Sequence, residues 1–219
     1  MKYILLIACC SLAINGCTQE SANPKTANKP APGDTKVGSG CEGCEAVFES
    51  TTSFNQLNNV DTLVDWNTPG PKLVVSGVIY QKDGKTPAPN VVMYFYHTDQ
   101  AGVYPTKGNE KGWEKRHGYL RGWIKTDKDG RYKFFTLVPA SYPNSSNPKH
   151  IHATIKENGK TPYWIDDFVF DDDPLLPQQE RNRSQPVGGL GVLKPVLKDG
   201  ILYAERNIRL GLNVSGYPG

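Results

Sequence analysis

The 219 residues include 22 Gly and 17 Pro, too many for a helical bundle and without the strict repeat of collagen. Apolar residues make up 37% of the chain, enough for a core, which excludes disorder throughout. The net charge of +3, from 25 basic and 22 acidic residues, is near balance rather than the clustered basic excess of a nucleic-acid footprint, so nucleic acid is not an expected partner.

The length fits one domain with appendages. The first appendage is residues 1–17, MKYILLIACCSLAINGC. Lys2 precedes an apolar run over 3–14 that is too short to span a bilayer and fits a signal-peptide core. Gly16-Cys17 at its end resembles a lipobox, in which the Cys is acylated; a cleaved signal with an incidental Cys is the alternative. The expectation is a lipoprotein signal over 1–17, with the membrane as a partner through a lipid anchor at Cys17. Over 18–40 the only large apolar residue is Val37, so this stretch is expected to be a flexible linker. Thr18 stands where an inner-membrane retention signal places Asp, so the expected location is the cell envelope, at the outer membrane.

The domain proper is expected over 41–219. Cys41 and Cys44 form a lone Cys-x-x-Cys, which fits a redox pair, half a zinc site or a structural disulfide. No second Cys pair completes a zinc site and no βαβ context supports a redox motif. A disulfide staple in an exported chain is the expectation.

Beyond it, short β-rich runs are bounded by turn signals. Strands are expected at 73–80, 91–97, 119–126, 132–138 and 150–156. Two more, at 192–197 and 202–210, flank the hairpin signal Asp199-Gly200. This spacing predicts an all-β fold, an antiparallel β-sandwich with long loops. Residues 171–191 form a long surface excursion, and Asp171, Asp172 and Asp173 a solvated acidic turn.

The chain has 4 His, all between His97 and His152. In a strand, His150 and His152 share a face, so both imidazoles can reach one ion. On its own this His-x-His fits either a metal pair or a buried hydrogen-bonded pair. Tyr104 and Tyr142 both lie just past strand ends, and phenolate oxygen is a hard anionic donor suited to Fe(III). His97, His117, Trp113 and Trp123 are expected to pack or to line a pocket.

Four motifs, in order, carry a family resemblance. Residues 75–104, VSGVIYQKDGKTPAPNVVMYFYHTDQAGVY, end in Asp99, Gly102 and Tyr104. Residues 121–143, RGWIKTDKDGRYKFFTLVPASYP, supply Arg121, Asp127, Gly130, Pro139 and Tyr142. Pro-x-His-Ile-His then follows at Pro148, His150 and His152. In these motifs the chain resembles the intradiol ring-cleavage dioxygenases, over roughly 73–173. The resemblance implies the family's β-sandwich, Fe(III) as cofactor, and Tyr104, Tyr142, His150 and His152 as its ligands. It implies a catechol-type aromatic diol and dioxygen as the small-molecule partners, with a muconate-type product. Tyr142 is then also catalytic, as the ligand that leaves the metal as a base.

Two positions depart from the family pattern. Asn147 stands three residues before His150, where the family commonly has Arg. Asp167 stands fifteen residues after His152, where it often has Gln. Both are carried as catalytic-site positions, and together they make the site more negative. Neutral catechols are therefore expected to be favoured over carboxylate-bearing ones such as protocatechuate. Three other readings stay open: a transthyretin-like or carboxypeptidase-regulatory-like binding module, an iron-binding dioxygenase without turnover, and a divalent-metal hydrolase built on His150, His152 and an Asp. The sequence leaves the oligomeric state open, a homodimer included.

Overall fold

β-Branched and aromatic runs, cut by Asp-Gly and Asn-Gly turns, set the strands. The computed structural model describes residues 28–219. The signal peptide and lipid anchor expected over 1–17 lie outside the described residues. In chain order the strands are β1 (Val60–Thr62), β2 (Lys72–Tyr80), β3 (Val92–His97), β4 (Arg121–Lys125), β5 (Arg131–Leu137), β6 (His150–Lys156), β7 (Tyr163–Phe170), β8 (Val192–Leu193), β9 (Val196–Lys198), β10 (Ile201–Glu205) and β11 (Ile208–Arg209). Two single-turn helices interrupt them, α1 (Glu114–His117) and α2 (Gln178–Arg181). No helix among the described residues is long and apolar enough to cross a membrane.

The strands form two sheets. One has the order β1-β5-β2-β10-β9, with β11 also on β2; the other has the order β4-β3-β6-β7-β8. Their inner faces share one core. Leu73, Val75 and Phe134 come from the first sheet, and Met93, Phe95, Ile151 and Phe168 from the second. Phe95 stacks on Phe134 at 4.2 Å between ring centroids, and Phe134 meets Phe168 edge-on at 6.0 Å. This is the expected sandwich.

The sheets are mixed rather than purely antiparallel. β1 runs parallel to β5, β8 to β7, and both β10 and β11 to β2. Parallel neighbours need long crossovers. The 171–191 excursion is one, carrying the chain from β7 back to β8 in the same direction. The hairpin expected around Asp199-Gly200 is present between β9 and β10, with φ of 50° and 78° at its two central residues. The two flanking expectations each split, at Lys194-Pro195 and at Arg206-Asn207. β1 and β7 were not signalled by sequence pattern.

The linker expectation over 18–40 needs correction for residues 28–40, which pack onto the domain. Val37 is buried in the main core, and Thr35 exchanges backbone hydrogen bonds with Gly159 and Thr161 at 2.9 Å each. Asp34 pairs with Lys156 at 2.8 Å, and the Asn28 amide donates to the Ser50 and Thr52 carbonyls. Backbone pairing, the Asn28 and Asp34 side chains and one apolar anchor hold this segment, and composition registers none of them. Cys41 and Cys44 form the expected disulfide, at the start of the 3-10 helix Cys44–Glu49.

Candidate metal centre

Strand parity places the histidines. Ile151, Ala153 and Ile155 of β6 face the core, so His150 and His152 project from the opposite face of the sheet. The tyrosines come from two loops tied to each other. The Thr98 hydroxyl donates to the Ala140 carbonyl at 2.6 Å, and the Ala140 N–H donates to the Asp99 carbonyl at 3.1 Å. Gly102, with φ of 74°, lets the first loop lie on the second, since a Cβ there would sit 2.0 Å from the Ser141 carbonyl oxygen. His97 closes the root of both loops. Its Nδ1 lies 2.7 Å from the Thr98 carbonyl and its Nε2 2.6 Å from the Thr136 hydroxyl.

Four donor atoms meet at one point. His152 Nε2 is 3.0 Å from the Tyr104 Oη, 3.2 Å from the Tyr142 Oη and 3.1 Å from His150 Nε2. His150 Nε2 is 3.1 Å from the Tyr142 Oη, and the two phenol oxygens touch. The far side of each imidazole fixes its tautomer. His150 Nδ1 lies 2.7 Å from the Pro148 carbonyl and His152 Nδ1 3.0 Å from Asp167 Oδ1. A carbonyl or a carboxylate can only accept, so both Nδ1 atoms carry the proton. Both Nε2 atoms therefore present lone pairs to each other, an arrangement that a cation between them satisfies.

The electrostatics agree. Burial, reinforced by His152, pushes the His150 pKa down, which favours the neutral ring a metal needs. Burial pushes the phenols of Tyr104 and Tyr142 up, so ionising them calls for a strong positive charge close by. Two imidazoles with two phenolates suit a ferric ion better than a soft divalent metal. The residues present thus fit Fe(III).

All four expected ligands are brought together. Asp167 joins them from behind; with His150 and His152 it forms a group of ligand atoms within 4.8 Å of one another. Its carboxylate holds the Nδ1 edge of His152, away from Nε2, which argues against the hydrolase arrangement. Burial raises the Asp167 pKa, but the neighbouring His152 outweighs this and the net shift is downward. Asp167 reaches His152 through a β-bulge. Ile151 pairs with Phe168 and Ala153 with Ile165, so Asp166 and Asp167 together oppose His152. Gly191 makes room, because a Cβ there would lie 2.0 Å from the Asp167 carbonyl oxygen.

A cleft of about 640 Å³ opens beside the donors, lined by Tyr142, His150 and His152 and by Asn147, Trp164 and Arg183 among others. Tyr104 does not line it and lies against Tyr96 behind. Asn147 sits exposed on the cleft wall, its backbone N–H donating to the Ser145 hydroxyl at 3.0 Å. Lys149 turns away to Asp172 at 3.0 Å. Trp113 and Trp123 pack on His117 and Tyr94, with centroids 5.3 and 4.9 Å apart, and His117 bonds the Tyr94 hydroxyl at 2.8 Å. Sequence reading missed Trp164 and Arg183. The first sits on the unsignalled β7. The second comes from the 171–191 excursion and pairs with Asp166 at 3.1 Å and Glu180 at 2.7 Å.

Comparison with known proteins meets this geometry. A family model described as a dioxygenase matches residues 47–185. The protocatechuate 3,4-dioxygenase beta chain of Burkholderia cepacia is 30% identical over 113 residues, 49% of this chain and 48% of its own length. Catechol 1,2-dioxygenase of Acinetobacter baylyi is 26% identical over 132 residues, 46% of this chain and 40% of its own. The chain spans about half the length of the curated relatives it matches. Among solved structures, the dioxygenase domain of a carbohydrate-binding fusion protein from Streptomyces sp. SirexAA-E aligns with a TM-score of 0.53 and 23% identity, over 68% of this chain and 85% of that one. The catechol 1,2-dioxygenase structure from Acinetobacter sp. ADP1 aligns at 0.51 and 20% identity, over 69% and 56%.

The β-sandwich and the matching family model define the class, a dioxygenase. This chain belongs to the intradiol ring-cleavage dioxygenase family. Cleavage of catechol-type rings is the chemistry of that family.

Proposed function

We propose that the chain is an active Fe(III) dioxygenase that opens a catechol between its two hydroxyl-bearing carbons. One carbon–carbon bond breaks, both atoms of dioxygen enter the product, and the diol becomes a muconate-type diacid with no external reductant. The convergence of His150 Nε2 and two phenol oxygens within 3.0–3.2 Å of His152 Nε2 carries this reading. A binding module of the transthyretin-like or carboxypeptidase-regulatory-like kind has no use for such a cluster.

When bound, a ferric ion supplies the Lewis acidity that makes the ring reactive towards dioxygen. The protein supplies the rest. Tyr142 is the tyrosine on the cleft, so it would hold the ion from the substrate side, and its Oη would take a catechol hydroxyl proton. Burial raises its pKa, so its phenolate would be a strong base. Tyr104, packed behind, stays in place. The Nδ1 bonds to Pro148 and Asp167 keep both imidazoles aimed at one point. Trp164 and Leu190 give the cleft an apolar wall for the ring.

Asp166, Asp167 and Glu180 face the same cleft as the single cation Arg183, which favours neutral catechols over carboxylate-bearing ones. The test is iron reconstitution followed by oxygen uptake with catechol and with protocatechuate. A visible tyrosinate-to-iron band, uptake and faster turnover of catechol are expected; an iron-loaded protein without uptake refutes turnover. The residue 1–17 pattern supports a lipid anchor at Cys17 in the cell envelope, checked by mass spectrometry of the mature N-terminus.

A further inference from the structure

The two histidines differ in what stands behind them. His150 Nδ1 faces a neutral carbonyl, that of Pro148, at 2.7 Å. His152 Nδ1 faces a carboxylate, that of Asp167, at 3.0 Å. The bulge creates this asymmetry. Ile165 and Phe168 both face the core three residues apart, so the strand must accommodate an extra residue between them. Of the two residues that oppose His152, Asp166 turns to Arg183 at 3.1 Å, leaving Asp167 for the imidazole. The Asp167 carbonyl rests on Gly191, so β7 is held in place by the next segment of chain.

We infer that Asp167 is a positioning residue that makes His152 the stronger of the two imidazole donors and thereby lowers the electron demand of the bound metal. An anion on Nδ1–H pulls the proton towards itself and leaves more electron density on Nε2. Asp167 also supplies the third negative charge that, with two tyrosinates, balances a ferric ion. The same charge opposes the build-up of negative charge when a catecholate arrives, which places Asp167 in control of how readily Tyr142 leaves. This inference rests on the ferric reading of the site.

The experiment titrates Fe(III) into the full chain and into Asp167→Asn and Asp167→Glu, following the tyrosinate-to-iron band. Asn keeps the shape and an acceptor oxygen but loses the charge. Its band is expected to move to longer wavelength, because a more electron-poor iron lies closer in energy to the tyrosinates. Its iron affinity is expected to fall about 10- to 100-fold. Glu, which restores the charge, should return the band towards the wild-type position. A wild-type band with unchanged band and affinity in Asp167→Asn would overturn the inference and leave the ferric site standing. No band in the wild type would overturn the ferric reading itself. If Asp167→Asn does not fold, nitrogen NMR of the metal-free wild type decides: a proton on Nε2 rather than Nδ1 of His152 overturns the inference.

Discussion

The two halves of the donor cluster are built in different ways. The histidines ride on β6, where a two-residue period and buried Ile151 and Ala153 fix their direction. The tyrosines ride on two loops that hold each other, through the Thr98–Ala140 and Asp99–Ala140 bonds, Gly102 against Ser141 and His97 at the root. A strand holds its side chains through the whole sheet, whereas paired loops hold theirs through a few local ties. The tyrosine half is therefore the part that single substitutions can loosen, and it carries Tyr142, the residue proposed to move.

The largest effect is expected where mobility and chemistry coincide. Tyr142→Phe removes the proposed metal ligand and proton acceptor on the cleft, and should lower kcat about 100- to 10,000-fold. Tyr104→Phe should instead weaken iron retention. Stopped-flow turnover beside iron quantification separates the two tyrosines; equal loss of iron in both variants would erase the distinction drawn from the cleft.

The second effect is on stability and acts at the loop root. His97 is 1% exposed, and burial lowers its pKa from 6.5 to about 4. Between those values the unfolded chain binds a proton that the folded chain does not. Stability is then complete above about pH 6.5 and falls as the pH drops through the window, by about 3 kcal/mol once below pH 4. Urea unfolding at pH 7 and pH 4.5 should show a loss of roughly 2–3 kcal/mol in the wild type beyond that in His97→Gln. Equal losses in both proteins would remove His97 from the account.

The same contrast explains what could be read from the sequence. His150 and His152 were legible as a metal-capable pair because strand parity is a local rule. The tyrosines needed motif register, since nothing local distinguishes Tyr104 or Tyr142 from the other tyrosines of the chain. The sandwich was legible from runs and turns, but its parallel pairs were not, because pairing partners far apart in sequence leave no local trace. β7 was hidden by its own bulge: Asp166-Asp167 breaks the alternation between Ile165 and Phe168, and that break is what brings Asp167 to His152. Residues 28–40 looked like a tether because polar ties through Asn28, Asp34 and the Thr35 backbone hold them, with Val37 alone reaching the core, and such ties leave no apolar pattern.

Gly102→Ala sharpens the comparison from the loop side. The added Cβ would meet the Ser141 carbonyl at 2.0 Å, in a backbone conformation of φ 74° that alanine disfavours. A cost of about 2 kcal/mol or more follows, seen as a lower melting temperature. Iron binding should weaken with it, since the loops that part are the ones bearing Tyr104 and Tyr142. By contrast, Gly159→Ala has open space around its Cβ and lies far from the tyrosine loops in sequence, so any cost there comes from its φ of 72° alone. A Gly102→Ala protein with unchanged iron affinity would show that the loops are not what holds the tyrosines.

The smallest effect concerns the cleft wall rather than either half of the cluster. Arg183 is partly exposed and pairs with Asp166 and Glu180, so its removal should change stability by less than about 1 kcal/mol. What it changes is the field: Arg183→Ala leaves two carboxylates facing the substrate without a counter-charge. A catechol bearing its own carboxylate should then lose about fivefold in kcat/KM relative to a neutral one, about 1 kcal/mol of added repulsion across a wet cleft. The ratio of catechol to protocatechuate kcat/KM, measured at low and high salt, reads this directly. Salt should shrink the difference between wild type and variant, because the charges lie in solvent reach. A ratio that ignores both the substitution and the salt would mean that the acidic wall does not choose the substrate, and that any preference comes from the shape around Trp164 and Leu190.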